Sequence, residues 1–173
     1  YATTDGRIES PSHDTPAYRA EVQSWFEALQ IPWRWVPTTL ACLAQTLAAV
    51  CAPGQTAPAL VCNLCDGDEV HGYPGVSVVR ALEQASIPFT GAASTVYALS
   101  TSKIAMKERL RQCRIATPPF VCLGNRPDEM ARLTTQVGYP AMIKPAVSAA
   151  STGISLRSCV HDAASARAQF TRL

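Results

Sequence analysis

The run Ala59-Leu60-Val61-Cys62-Asn63-Leu64, interrupted only by Asn63 and followed by Asp66-Gly67-Asp68, constrains this chain more than any other feature. It is too short for a core helix and lacks the alternation of a half-wet strand. That profile belongs to a strand covered on both faces, which in practice means a parallel sheet with helices packed on either side. Polar residues just past the carboxyl end of such a strand are where functional groups are expected.

The flanks fit a layered arrangement. Tyr18, Val22, Trp25, Phe26 and Leu29 recur at helical spacing after Pro16, and Pro32 ends the pattern. Trp33, Trp35 and Val36 alternate as a short strand. Thr38 or Thr39 can cap a second helix with Leu40, Leu43, Leu47 and Val50 on one face, ended by Pro53-Gly54. Beyond the buried run, a helix from Pro74 carries Val76, Val79, Leu82 and Ala85, and Ile87 to Gly91 forms a short strand and turn. Helix, strand, helix, strand, helix, strand predicts an α/β domain with a parallel sheet.

From Ser100 another helix reads with Ile104, Met106, Leu110 and Cys113 on its packed side and Lys103, Lys107, Arg111 and Arg114 on the opposite stripe, a solvated face in most helices. Pro118-Pro119 breaks it, and residues 120–123 extend. Pro127-Asp128-Glu129 opens a helix packed through Met130, Leu133 and Val137 and closed by Gly138. Pro140 to Pro145 is a strand ending in Lys144, Ala146 to Gly153 a loop of small residues, and Ile154 to Leu156 a returning strand. A last helix runs from about His161 to Leu173 without a closing signal. With Tyr1 rather than Met at the start, the chain reads as a piece of a longer protein.

Composition excludes several classes. A formal charge of +2 with dispersed basic residues is no nucleic-acid footprint. Pro53, Gly54, Gln55 and Thr56 interrupt the longest apolar stretch, so no membrane span is expected and a soluble, cytoplasmic protein is. Cys42, Cys51, Cys62, Cys65, Cys113, Cys122 and Cys159 sit mostly in apolar runs, and Cys62-x-x-Cys65 has no second pair at ligand spacing. They read as small buried hydrophobes in a reducing compartment.

Lys144 followed by Ser148, Ser151, Thr152 and Gly153 is the sharpest chemical pattern. A lysine at a strand end sets one ammonium against a phosphate, and the hydroxyls and amides of a short loop add donors. The same residues also describe an ordinary hairpin with a snorkelling lysine. Asp66, Asp68, Glu69 and His71 read either as a substrate-holding loop or as a solvated acidic turn, and a lone loop histidine usually catalyses nothing.

Val61 to Gly67 resembles the "FNL-x-(H/D/E)-G" strand end of D-alanine–D-alanine ligases, and Ile87 to Ala92 their "IPYTGS" segment. Ala98 to Lys103 with Lys107 is similar to "ALSMDK-x-x-x-K", and Gly138 to Pro145 to "LGxPxIVKP". The matches fall in the family's order from about Leu60 to Ser155, more specific jointly than singly.

The resemblance implies an ATP-grasp enzyme with a Rossmann-like pre-ATP-grasp domain over 1–96 and the first, small α+β ATP-grasp subdomain over 97–173. Such enzymes phosphorylate a carboxylate with ATP, and an amine attacks the acylphosphate to give an amide, ADP and phosphate. Lys103 and Lys144 would contact ATP phosphates, with Ser148, Ser151, Thr152 and Gly153 in the loop that closes over them. Ser151 is the candidate for touching the transferred phosphate and Glu69 for holding a substrate ammonium. The loop departs from the family's "SREGSSVG": Ala149 replaces a glycine, Ala150 a serine, and Val147-Ser148 an Arg-Glu pair, which bears on the amino-acid contacts.

ATP and magnesium are the implied cofactors, with magnesium ligands expected in the family's second subdomain and none among these residues. The 173-residue chain alone is accordingly expected to be inactive. Small molecules, ATP and an amino acid such as D-alanine, are the implied partners; the oligomeric state stays open, a homodimer being one option. Two alternatives stand beside this: an ATP-grasp ligase with another amino-acid or peptide acceptor, and a non-catalytic α/β binding module.

Overall fold

The computed structural model describes residues 15–54, 56–70, 72–124, 126, 128–148 and 151–173. They fall into two units, divided between Tyr97 and Ala98. The expectations for His71, Ala149 and Ala150 lie outside the described residues.

In the first unit, helix α1 (Pro16–Ala28) starts where Thr15 Oγ1 accepts the Tyr18 amide and Pro16 fills the first turn. Its buried contact is Val22, 2% exposed. The strand expected at Trp33 to Val36 does not form. Trp33 instead stacks on Phe26 at 5.3 Å, and Trp35 takes the Arg19 guanidinium over its ring at 5.5 Å, so aromatic packing on α1 replaces pairing. Helix α2 (Leu43–Val50) begins three residues later than its apolar face suggests, because Thr39 Oγ1 accepts the Cys42 amide at 3.1 Å and holds residues 40–42 in a turn. Helix α3 (Val76–Gln84) buries Val78, Val79 and Leu82, and α4 (Ser94–Thr101) begins in this unit and runs past Tyr97.

The parallel sheet expected of this unit reduces, among the described residues, to one parallel bridge, Val61 to Phe89. The Val61 amide donates to Pro88 O at 2.8 Å and the Thr90 amide to Val61 O at 2.9 Å. A continuous apolar run becomes a central strand only when both its edges are paired, and here one is. Leu60 is accordingly 55% exposed. The unburied run also corrects the cysteine expectation: Cys51, Cys62, Cys113, Cys122 and Cys159 are exposed and all seven are free.

In the second unit, helix α5 (Lys103–Gln112) follows its N-cap Ser102, and α6 (Glu129–Arg132) continues as a π-helical turn, Leu133–Val137, up to Gly138. Strand β1 (Ala141–Met142) pairs antiparallel with β2 (Cys159–Val160), Ala141 opposite Val160. The return strand comes later than the expected Ile154 to Leu156. Ser155 and Ser158 form a reciprocal cap that folds residues 156–158 into a 3-10 turn first. Helix α7 (Ala163–Arg172) is capped by Asp162, which accepts the Ser165 amide at 2.7 Å. Leu133, Ile143, Val160 and Ala166 form the core, with Val121, Leu123 and Met130 against it. Each of the larger side chains contributes about 1.5–3 kcal/mol by burial.

The chain is therefore a mixed α/β protein with a small sheet. No described helix is long and apolar enough to cross a membrane.

Candidate functional site

Three backbone and side-chain ties build the candidate phosphate site, all in the second unit. The Lys103 amide donates to Ala146 O at 2.9 Å, Ser102 bridges Val147 in antiparallel fashion, and Lys103 Nζ donates to Ser148 Oγ at 2.7 Å and to Ser148 O at 3.4 Å. The start of α5 is thus stitched to the loop that follows Lys144. Ser148, 9% exposed, is the most buried of the described loop residues.

Strand alternation sets Lys144. Ile143 is 7% exposed and its amide donates to Ser158 O at 2.8 Å, so Lys144 turns to the opposite, open face alongside Met142, which is 54% exposed. Lys144 is exposed and makes no ion pair or side-chain hydrogen bond with a described residue.

Ser151, Thr152 and Gly153 form an exposed turn closed by the Ile154 amide on Ser151 O at 3.0 Å. Gly153 has φ +76° with Pro145 Cγ 2.7 Å from where a Cβ would sit, so only glycine fits without displacement. Ser151 holds φ +61°, a left-handed conformation costly for serine. Lys103 and Ser148 are brought together; Ser151 and Thr152 stand in solvent.

Glu69 has hydrogen-bond partners that its sequence context does not indicate. In the first unit it caps α3: Oε1 accepts the Gly75 amide at 3.0 Å and the Ser77 amide at 2.6 Å, and Oε2 accepts the Ser77 hydroxyl at 2.9 Å. The loop before it is held by Tyr97, whose hydroxyl donates to Gly67 O at 2.8 Å. Burial, with Asp66 adding, pushes the Tyr97 phenol far above its ordinary value. Asp66 is exposed beside it.

Two arrangements escaped sequence reasoning. Lys107 Nζ donates to Thr117 Oγ1 at 2.9 Å and to Pro118 O at 2.8 Å and lies 5.2 Å from the Phe120 ring centre. The basic stripe of α5 is thus anchored at Lys103 and Lys107, while Ile104 and Met106, expected to pack, are 38% and 39% exposed. Spacing of four put the two lysines on one face, but a backbone carbonyl acceptor leaves no trace in sequence. Secondly, Glu129, 5% exposed, accepts the Gly124 amide and Arg126 Nε, the latter at 3.0 Å.

A cavity of about 310 Å³ opens between Leu123, Met130, Arg167 and Phe170 and contains none of the expected site residues. Its Arg126 is already paired with Glu129, so the Lys103 to Gly153 region remains the better candidate. Among the described residues no group of three His, Cys, Asp or Glu side chains could hold a metal ion. Ammonium, hydroxyl and loop amide donors fit phosphate oxygens; no magnesium ligand is assigned.

Comparison with known proteins agrees with the motifs. The chain is 31% identical over 99 residues to a D-alanine–D-alanine ligase of Methylococcus capsulatus, covering 56% of this chain and 32% of that protein. It is 35% identical over 102 residues to one of Syntrophotalea carbinolica (54% and 29%) and 33% identical over 106 residues to one of Ralstonia pickettii (60% and 32%). The chain thus spans a third or less of the length of these curated relatives. No family model and no solved structure matches. The similarity supports a relationship to a class, the ATP-grasp proteins. Within that class the relatives it matches are D-alanine–D-alanine ligases.

Proposed function

We propose that this chain is part of an ATP-dependent, ADP-forming carboxylate–amine ligase, with residues 1–96 the acceptor-side domain and 97–173 the first nucleotide subdomain. In that reading ATP supplies a phosphoryl group to a carboxylate so that an amine can displace it. The chain's own residues hold the polyphosphate. Lys103, fixed on the loop by its amide and its ammonium, and Lys144, extended from the open strand face, offset the phosphate charge. The Ser151 to Gly153 turn offers amides and hydroxyls, and buried Ser148 orients Lys103. The observation that carries the reading is the exposed Lys144 ammonium, without a side-chain partner among the described residues, just before the loop that Lys103 is stitched to.

A second reading has its own support. With Glu69 occupied at the start of α3 and Ser148 in the place of the family's glutamate, an acceptor other than D-alanine, another amino acid or a small peptide, is favoured over the relatives' own.

Titration calorimetry of ATP with magnesium against the chain tests the proposal. Lys103→Ala and Lys144→Ala are each expected to weaken binding about ten-fold, the order of one charge-assisted contact. ATP binding no tighter than adenosine, or unmoved by either substitution, would sink it. Phosphate release scored over a panel of amino acids in a longer protein carrying this chain then separates the acceptors.

A further inference from the structure

We infer that Lys107 is a positioning residue that holds α5 so that Lys103 stays on the phosphate loop; the inference rests on the phosphate-holding role proposed for Lys103.

Helix α5 has no fully buried residue, and its apolar Ile104 and Met106 are 38% and 39% exposed. Burial therefore locates it only weakly, and polar ties add to it. One set lies at its first turn, where Ser102 and Lys103 join the loop at Val147, Ala146 and Ser148. The other is Lys107, about one turn or 6 Å further along the same face.

Lys107 is tied at more than one point. Two of its three N–H donors meet Thr117 Oγ1 and Pro118 O, and the charge lies over Phe120. Pro118 and Pro119 lack amide hydrogens, so this stretch cannot be fastened by a two-way backbone ladder, and the ammonium supplies donors from outside. Just past Phe120, Val121 and Leu123 pack against the Leu133 and Ile143 core. The chain of contacts runs from the core through residues 117–123 to Lys107, along α5, and to Lys103. A helix fixed at its first turn alone could pivot; the second tie removes that freedom without touching the ligand.

The test reads Lys103 directly. In the Lys107→Met chain, labelling of the Lys103 amine by an acylating reagent, followed by peptide mass spectrometry, is expected to quicken several-fold, and ATP binding to weaken by up to about ten-fold. Lys107→Arg, which keeps donors and ring contact, should restore both. In a Lys103→Ala background, Lys107→Met should change ATP affinity by less than about two-fold, because its effect passes through Lys103. Unchanged Lys103 labelling, failure of the arginine to restore it, or an equal affinity loss in both backgrounds overturns the inference. If the wild-type chain binds no ATP, the proposed function fails, while the labelling arm still decides whether Lys107 holds Lys103. Should Lys107→Met not fold, Thr117→Val removes one acceptor alone and is read by the same labelling, no change counting against the proposal.

Discussion

Both oxygens of the Glu69 carboxylate are spent on Ser77, Oε1 on its amide at 2.6 Å and Oε2 on its hydroxyl at 2.9 Å. A carboxylate six residues upstream of Gly75 thereby does what an N-cap side chain would do for α3, whose own cap position, Gly75, has no side chain to offer. It also sets negative charge at the positive end of the helix dipole. The cost is local: Glu69 itself sits at φ +62°.

Glu69→Ala should therefore destabilise the chain by about 1–2 kcal/mol, the range of a lost cap, with Glu69→Gln retaining part of it. Urea unfolding followed by far-ultraviolet circular dichroism measures both. An Ala variant as stable as the wild type, yet unable to support amino-acid-dependent phosphate release in a longer protein, would return Glu69 to the substrate role that its place after the strand suggests.

The contacts of Glu69 show where sequence reading runs out. Val79 and Leu82 on α3, Leu133 in the turn after α6 and the Pro16 and Gly138 boundaries follow from periodicity and backbone chemistry, which are local. Whether residues 59–64 become a central strand depends on a neighbour at each edge, and only Pro88 to Thr90 supplies one among the described residues. Lys103 and Ser148 were legible as candidates, but their 2.7 Å contact, 45 residues apart in sequence, was not. Charge alone put Lys107 on a solvated face, whereas its ammonium is tied to Thr117 and Pro118.

Cys42 offers a pH-dependent readout in the first unit. Thr39 donates to its sulfur from both hydroxyl and amide at 3.1 Å, and Thr46 reaches it at 3.7 Å. These donors favour the thiolate and bring the thiol down to about 7, the Thr39 hydroxyl contributing most. Alkylation of Cys42, followed by peptide mass spectrometry, should rise through pH 7, while exposed Cys51 is alkylated alongside as the internal comparison. Thr39→Val should move the Cys42 profile upward by removing the leading donor. A profile indifferent to Thr39 would mean the hydroxyl does not hold the sulfur in solution.

Glu129 makes the stability of the second unit depend on pH. Its pKa lies below the ordinary carboxylate range, chiefly because Arg126 Nε donates to it at 3.0 Å, with the Gly124 amide adding to the effect. The unfolded chain takes up this proton first, near the free value of about 4.3. The stabilisation is thus complete above that pH and is lost as pH falls through the depressed folded value. Glu129→Gln should melt at a lower temperature than the wild type at pH 7, and the two curves should converge in acid as the wild-type carboxyl protonates. Thermal melts at steps from pH 7 to pH 3 measure the difference. A gap that stays constant across that range would show that the shape of the side chain, and not its charge, holds Gly124 and Arg126 in place.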